Sequence, residues 1–305
     1  MGEAKRHLLA RRQAACICGS GKSAGECCLK GDHWFKAPSS LELKSTREAK
    51  SVEKCYMKEL RACEGGISGE HLISESVIRL LAGDGEFRIS GTPWLAEGEW
   101  KAVGPKSLTA NCLCERHNGR LHPLDDAAVF FFRSLKTSFE EEVMSTSYLV
   151  SGHDIERWLL KTLKALAVSG NLAAGREPLV GEFATDIRLL DMLGDVQSWS
   201  QGAGLYCVMK AWEFTYNHNH FQIQPLTNLR GEINGLWTNM LGLSFVLLLE
   251  PALLPHIPEL AQAVFRPGKI IIRHPPSIHE VILSWDDGKR HRDEMSLAFV
   301  QRVKG

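Results

Sequence analysis

Apolar residues recur at helical spacing in two stretches of the chain and as short runs elsewhere, and these periods predict its elements. Ile155, Trp158, Leu159, Thr162, Leu163 and Leu166 fall on one face of a 3.6-residue period, which predicts an amphipathic helix after the Ser-Gly break at 151–152. A second helical stretch is predicted from near Pro123. Proline suits a first helical turn, Asp125 and Asp126 suit its positive end, and Ala127 to Phe132, Leu135 and Phe139 supply a broad face to bury. Residues 1–13 are also helix-prone, but Lys5, Arg6, Arg11 and Arg12 flank Leu8, Leu9 and Ala10, the pattern of a solvated lead-in helix. Beyond residue 175 the texture changes. FTYNHNHFQIQPL, GLSFVLLLE, GKIIIRHPP and HEVILSW are strand-like runs separated by Gly, Pro and Asn, so 175–305 reads as β-rich. The longest apolar run, Leu241 to Leu254, is interrupted by Ser244, Glu250 and Pro251 and reads as a buried strand. No run reaches the roughly 18 apolar residues that a membrane span needs.

These elements imply an α+β chain in three parts: a small N-terminal zinc motif with its basic lead-in over 1–40, a central module over 41–150, and a helix plus β-rich domain over 151–305. The polar stretch 37–54 (APSSLELKSTREAKSVEK) is the expected linker or exposed helix between the first two. A length of 305 residues with 44% hydrophobic and 24% charged residues excludes a disordered or fibrous chain. Thirty-six Lys and Arg balance thirty-six Asp and Glu, which excludes a wholly basic nucleic-acid coat. The balance is uneven, because residues 1–54 carry eleven basic and six acidic side chains, a net of +5. Contact with nucleic acid is therefore expected to be local. The start, MGEAKRHLLARRQAA, has no apolar core of signal-peptide length, and a cytoplasmic protein is expected.

Eight of the nine cysteines fall within the first 114 residues, a clustering that favours metal binding over disulfides in a chain of this kind. Cys16-Ile-Cys18-Gly-Ser-Gly-Lys22 followed by Cys27-Cys28 has the spacing C-x-C-x8-C-C. Four thiolates surround a tetrahedral Zn²⁺ at ~2.3 Å when a turn brings two close pairs together, and Gly19, Ser20 and Gly21 supply that turn. The spacing and its Gly-Ser-Gly-Lys filling resemble the SEC-C zinc motif. That resemblance implies an adaptor that contacts a protein or nucleic acid, with Cys16, Cys18, Cys27 and Cys28 as structural ligands. A phosphate-binding loop is not indicated, because G-x-x-x-x-G-K-[ST] after a strand is missing.

The second constellation is Cys55-x7-Cys63, then Glu70-His71-Leu-Ile, then Cys114-Glu-Arg-His117-Asn118 with His122 and Asp125 beyond. Together these strings resemble the HNH (ββα-metal) endonuclease module over about seventy residues. The resemblance implies that His71, on a first strand, is the general base that takes a proton from water, and that the hydroxide attacks a phosphodiester of DNA. It implies one divalent ion, Mg²⁺ or Mn²⁺, on the scissile phosphate, with Glu70 and Asn118 as ligands and His122, four residues on, as a third contact. It further implies a structural Cys₃His zinc site of Cys55, Cys63, Cys114 and His117, pinning strand to helix. Cys112 competes with Cys114 for that place, since two residues along a strand face the same way; Cys114 is favoured by its two-residue gap to His117. Three positions depart from the family pattern. Its central Asn falls on Thr109, so that role passes to Asn111 if it is kept; Asn118 replaces a His; Glu70 stands where Asp is commoner.

Arg116, Arg120, Arg133 and Lys136 lie on or near the helix, and Arg116 and Arg120 are the nominated phosphate contacts. His218 and His220 alternate along a strand but lack a matched Cys or carboxylate, so they read as surface residues. Trp94, Trp100, Trp158, Trp199, Trp212 and Trp237 read as packing residues, and Cys207 as a buried thiol. Two functions follow: a metal-dependent HNH endonuclease acting on DNA, or a non-catalytic zinc-stabilised adaptor that binds nucleic acid or protein.

Overall fold

The computed structural model describes residues 3–45, 50–174, 177–179, 183, 188–208, 214–251 and 257–299. Trp212, residues 46–49 of the polar stretch and the end of the run at Leu254 lie outside them. The basic lead-in is helix α1 (Glu3–Gln13), none of whose residues is buried. After it come the two-residue strands β1 (Leu29–Lys30) and β2 (His33–Trp34). The central segment contains β3 (Ile67–His71), α2 (Glu75–Ala82), β4 (Phe87–Ser90), β5 (Lys101–Val103), β6 (Thr109–Cys114), α3 (Glu115–Glu140) and β7 (Ser147–Ser151). Then follow α4 (Gly152–Val168), β8 (Leu172–Ala174), β9 (Glu177–Leu179) and α5 (Leu189–Gly194). The β-rich part holds β10 (Gly204–Val208), β11 (His220–Thr227), β12 (Ile233–Met240), β13 (Leu243–Leu248), β14 (Val264–Phe265), β15 (Lys269–Arg273), β16 (Ile278–Ser284) and β17 (Glu294–Ala298).

The architecture is mixed α/β with a sheet-rich C-terminal region. Its two larger sheets recruit strands from the central segment. One runs β14-β10-β13-β12-β11-β4-β5, and the other β17-β15-β16-β7. The hairpin meander β11–β13 is antiparallel, whereas β4 joins β11, and β7 joins β16, in parallel. β7 passes directly into α4, so the chain has no linker at residue 150, and one apolar core extends from Leu41 to Leu297. Within it Phe132 meets Phe131, Trp158 and Phe245 edge to face, joining α3, α4 and the larger sheet.

Two helices differ from expectation. α3 begins at Glu115, eight residues before Pro123, which lies inside it. An internal proline costs about 3 kcal/mol through its missing N–H and its clash with the preceding turn. Burial of Leu121, Leu124, Ala127 and Ala128 on both sides of the proline opposes that cost and keeps the helix continuous. α4 buries its predicted apolar stripe, and it also buries His153, Asp154, Glu156, Arg157 and Lys161. Elements enclose it on all sides, so the charged face must be compensated inside the protein. Asp154 accepts from Arg157 at 2.5 Å, Glu156 from Arg266 at 2.8 Å, and Lys161 pairs with Asp125 and Glu70. The polar stretch near residue 40 is likewise no free linker, since Leu41 and Leu43 are buried in the main core. No helix among the described residues is long and apolar enough to cross a membrane.

Candidate metal centres and the hairpin between them

The first cysteine group is built by a tight loop. The Cys16 N–H donates to Lys22 O at 2.9 Å, closing a turn in which Gly19 and Gly21 adopt φ +76° and +74°. At Gly19 any side chain would also meet the Phe130 ring, 2.7 Å from its Cβ, so this position needs glycine twice over. Cys18 Sγ lies 3.6 Å from Cys27 Sγ, which lies 3.5 Å from Cys28 Sγ. The edge of a thiolate tetrahedron around zinc is ~3.8 Å when each bond is ~2.3 Å. The four cysteines could therefore hold a metal ion with little movement. The loop is docked onto the protein by the Leu149 N–H, which donates to Ile17 O at 3.1 Å, and by Leu149 packing on the cysteines.

Cys55, Cys63, Cys114 and His117 form the second group, all of them buried. His117 Nδ1 stands 3.4, 3.7 and 3.2 Å from the three sulfurs, and the other ring nitrogen, Nε2, stands 3.3 Å from Leu43 O. With Nε2–H donating to that carbonyl, Nδ1 presents its lone pair to the centre, the arrangement that orients a zinc-bound imidazole. Burial lowers the His117 pKa, which also favours the neutral ligand form. Burial pushes the Cys55 thiol up to about 12 in the metal-free protein, a cost that a cation would remove by binding the thiolate. The donor set is that of zinc, with soft thiolates and one imidazole.

Cys112 does not join the group. Cys114, the last residue before α3, keeps an extended backbone (φ −76°, ψ 159°); the alternation that would have aligned the two thiols is interrupted within β6, where Ala110 to Leu113 opposes only Glu70 to Ser68. Cys112 lies instead beside Glu70, and burial pushes its thiol up to about 12, assisted by that carboxylate.

β3 and β6, separated in sequence by α2, β4 and β5, pair as a two-stranded antiparallel sheet that leads into α3. The pairing sets Ile67 opposite Cys114 and His71 opposite Thr109, with an irregularity between Ser68 and Glu70. Asn118, one turn into α3, grips that irregularity. Its Nδ2 donates to Ser68 Oγ at 3.0 Å and to Gly69 O at 3.4 Å. Asn111 stands across from Gly69, 3.9 Å from where a Cβ would project. The tie to the backbone before His71, expected of Asn111, is therefore made by Asn118.

His71 ends β3, partly exposed, with Nε2 3.4 Å from Glu75 Oε2 in the first turn of α2. Hydrogen bonds from Arg79, at 2.9 and 2.5 Å, hold Glu75 below the usual carboxylate range and keep it ionised. Nδ1 makes no hydrogen bond among the described residues. Glu75 was not singled out in the sequence, because the i,i+4 relation that betrays such a pair operates within a helix, and here the spacing crosses from strand to helix.

Glu70 faces the other way. It is 2% exposed, with Oε1 2.8 Å from Lys161 Nζ. The ammonium also donates to both oxygens of Asp125, at 2.7 and 2.6 Å, and Ser74 Oγ bridges Asp125 to Trp158 Nε1. Burial would strip Lys161 of its proton, but Glu70 and Asp125 outweigh it and raise its pKa above the lysine norm. Burial likewise raises Glu70, in part offset by Lys161. His122 is exposed one turn beyond Asn118 and acts on Glu70 only through its charge.

Glu70, Asn118 and His122 thus do not converge as ligands of a divalent ion. The carboxylate is buried against a lysine, and His122 stands exposed one turn further along α3. Among the described residues His, Cys, Asp and Glu assemble into potential metal-holding groups at the two cysteine clusters alone.

The nominated phosphate contacts are also engaged. Arg116 donates to the carbonyls of Glu42, Leu43, Lys44 and Ala62 at 3.1 to 3.4 Å, stitching two loops to the start of α3. Arg120 pairs with Glu42 at 2.8 Å and stays half exposed. His220 stacks on Trp100 at 4.4 Å, apart from any metal group, and Cys207 is buried in β10 as expected.

Comparison with family models, with curated proteins and with solved structures finds no match to the chain.

Proposed function

We propose that the chain is a zinc-scaffolded nuclease of the HNH type that hydrolyses phosphodiester bonds of DNA, with His71 as general base. The observation that carries this reading is the presentation of His71. It ends a strand of a two-stranded sheet whose partner strand runs straight into α3, and a Cys₃His group joins that strand and helix to the preceding loop. A structural scaffold needs the cysteines but has no use for a partly exposed histidine with an ionised carboxylate at its back.

In this reading Glu75, with Oε2 3.4 Å from Nε2, stabilises the imidazolium that forms, while Nδ1 accepts the proton of the attacking water. The water oxygen bonds to phosphorus as the bond to the 3′ oxygen breaks; that oxygen leaves with the bonding electron pair and takes a proton from solvent. Asn118 holds the backbone before His71 and so fixes where the ring sits. The resemblance brings a catalytic ion with it, but its nominated ligands do not fit one, and no step above runs through an ion. The first cysteine group, flanked by a solvated basic helix, serves in this reading as a docking module for a partner.

A second reading, a non-catalytic zinc-stabilised adaptor for nucleic acid or protein, is favoured by the engagement of Glu70 with Lys161. One experiment separates the two. Supercoiled plasmid is incubated with the zinc-loaded protein and with His71→Ala, under EDTA, Mg²⁺ and Mn²⁺. Nicking or linearisation that disappears in His71→Ala supports the nuclease. Cleavage that survives the substitution removes His71 from the role. No cleavage by the wild type under any condition favours the adaptor.

A further inference from the structure

A resident lysine fills the place where a hydrolytic strand pair of this kind would be expected to hold its metal. The ammonium of Lys161 has three N–H donors, and three carboxylate oxygens surround it: Glu70 Oε1 at 2.8 Å, Asp125 Oδ1 at 2.7 Å and Asp125 Oδ2 at 2.6 Å. The two carboxylates come from β3 and α3, the elements that carry His71 and Asn118, whereas the lysine comes from α4. Lys161 is 2% exposed, as is Glu70. Close by, the buried hydroxyl of Tyr56 has no hydrogen-bond partner among the described residues, and Glu70 is the charge that acts on it most strongly. An oxygen-lined position with two carboxylates has the chemistry of a hard-cation site.

We propose that Lys161 occupies, with its own ammonium, the cation position between Glu70 and Asp125, so that this side of the strand pair is charged by the chain itself and takes no divalent ion. The inference deepens the HNH reading and rests on it for the assignment of Glu70 to a cation. Three observations select the lysine over an ion. It lies within 2.8 Å of both carboxylates, donating to the two Asp125 oxygens and ion-paired with Glu70 Oε1. The oxygens stand at 2.6 to 2.8 Å, ordinary N–H···O distances and well beyond the ~2.0 to 2.1 Å that Mg²⁺ requires. And α4 is enclosed, so the side chain has no solvated alternative. Removing the lysine would leave two carboxylates facing each other without a counter-charge, and a divalent ion is then the simplest replacement.

The test counts Mn²⁺ bound to the full, zinc-loaded chain by electron paramagnetic resonance. The wild type, Glu70→Gln, Lys161→Ala and the Lys161→Ala, Glu70→Gln double variant are compared. Mn²⁺ prefers oxygen donors and leaves thiolate-bound zinc in place. The wild type and Glu70→Gln should bind Mn²⁺ alike, while Lys161→Ala should gain roughly one Mn²⁺ per chain, the complement of a single oxygen site, which the double variant loses. Mn²⁺ that the wild type binds and Glu70→Gln loses would overturn the proposal. So would a Lys161→Ala protein that keeps its zinc and its melting transition but gains no Mn²⁺. If Lys161→Ala does not fold, the first comparison decides alone: equal binding upholds the proposal and a loss in Glu70→Gln overturns it. DNA cleavage is not read in this experiment, so failure of the nuclease reading would appear separately, in the His71→Ala plasmid assay.

Discussion

Replacing Cys63 by Ser removes one sulfur from a centre that ties four segments together. Cys63 is 3% exposed, its Sγ lies 3.7 Å from His117 Nδ1, and its backbone bridges to Lys50. Cys55 belongs to the loop before it, Cys114 closes β6, and His117 reaches back to Leu43 through Nε2. Structural zinc sites supply about 10 to 16 kcal/mol of folding free energy, or ~2.5 to 4 kcal/mol for each of four ligands. In a large single-core chain each kcal/mol moves the melting temperature by about 2 to 4 °C, so the loss of one ligand should lower Tm by at least ~5 °C. A serine hydroxyl does not restore the bond, because the site is soft and the alcohol stays protonated. The assay is metal analysis of purified protein alongside a thermal melt followed by circular dichroism. The expected result is one of two zinc equivalents lost together with that drop in Tm. Cys207→Ser, at a buried thiol outside both groups, provides the control and should leave the zinc content unchanged. Full zinc content and an unshifted Tm in Cys63→Ser would refute the site.

Two further outcomes follow from the packing and from protonation. Phe132→Ala should cost about 3 to 5 kcal/mol, the range for a fully buried aromatic, because its ring touches Phe131, Trp158 and Phe245 and nothing nearby can collapse into the void; urea melts of both proteins measure the difference. Burial lowers the pKa of His279, with His274 adding to the effect and Glu141 opposing it, while Thr146 and Ser277 hydroxyls take its two nitrogens at 2.7 and 3.1 Å. The folded protein therefore binds fewer protons here than the unfolded chain once pH drops below the free-histidine value of ~6.5. Its contribution to stability is full above that value and declines on acidification. The urea midpoint should fall between pH 7.5 and pH 5.5, and the fall should be smaller in His279→Gln; equal falls in the two proteins would exclude His279 as a source.

The features legible in the sequence were those written in local spacing. C-x-C-x8-C-C brought its four sulfurs together because a thirteen-residue segment with three glycines has few other ways to turn. The spacing from Cys114 to His117 selected the correct cysteine, although the strand-alternation argument for Cys112 failed at the register irregularity of β6. The strand-like texture after residue 175 became β10 to β17, and the apolar face of α4 stood at the expected positions. A proline at position 123 misplaced the start of α3, since burial on both sides of it outweighed its local preference for a helix end.

Other features had no local signature. That His117 turns Nδ1 toward the three sulfurs depends on the Leu43 carbonyl, 74 residues away, and Arg116 was claimed by four carbonyls before it could meet a phosphate. The sharpest case is Glu70. Its neighbour in sequence is His71, and the pair reads as a catalytic unit, yet successive strand residues face opposite sides and only the packing of α4 determined what Glu70 would meet. By itself the sequence determined which atoms were available to bind metal, because cysteine spacing is a short-range constraint on the chain. The tertiary structure decided which charges would neutralise one another, because an ion pair buried between Lys161 and Glu70 joins residues that nothing but the folded core brings within 3 Å.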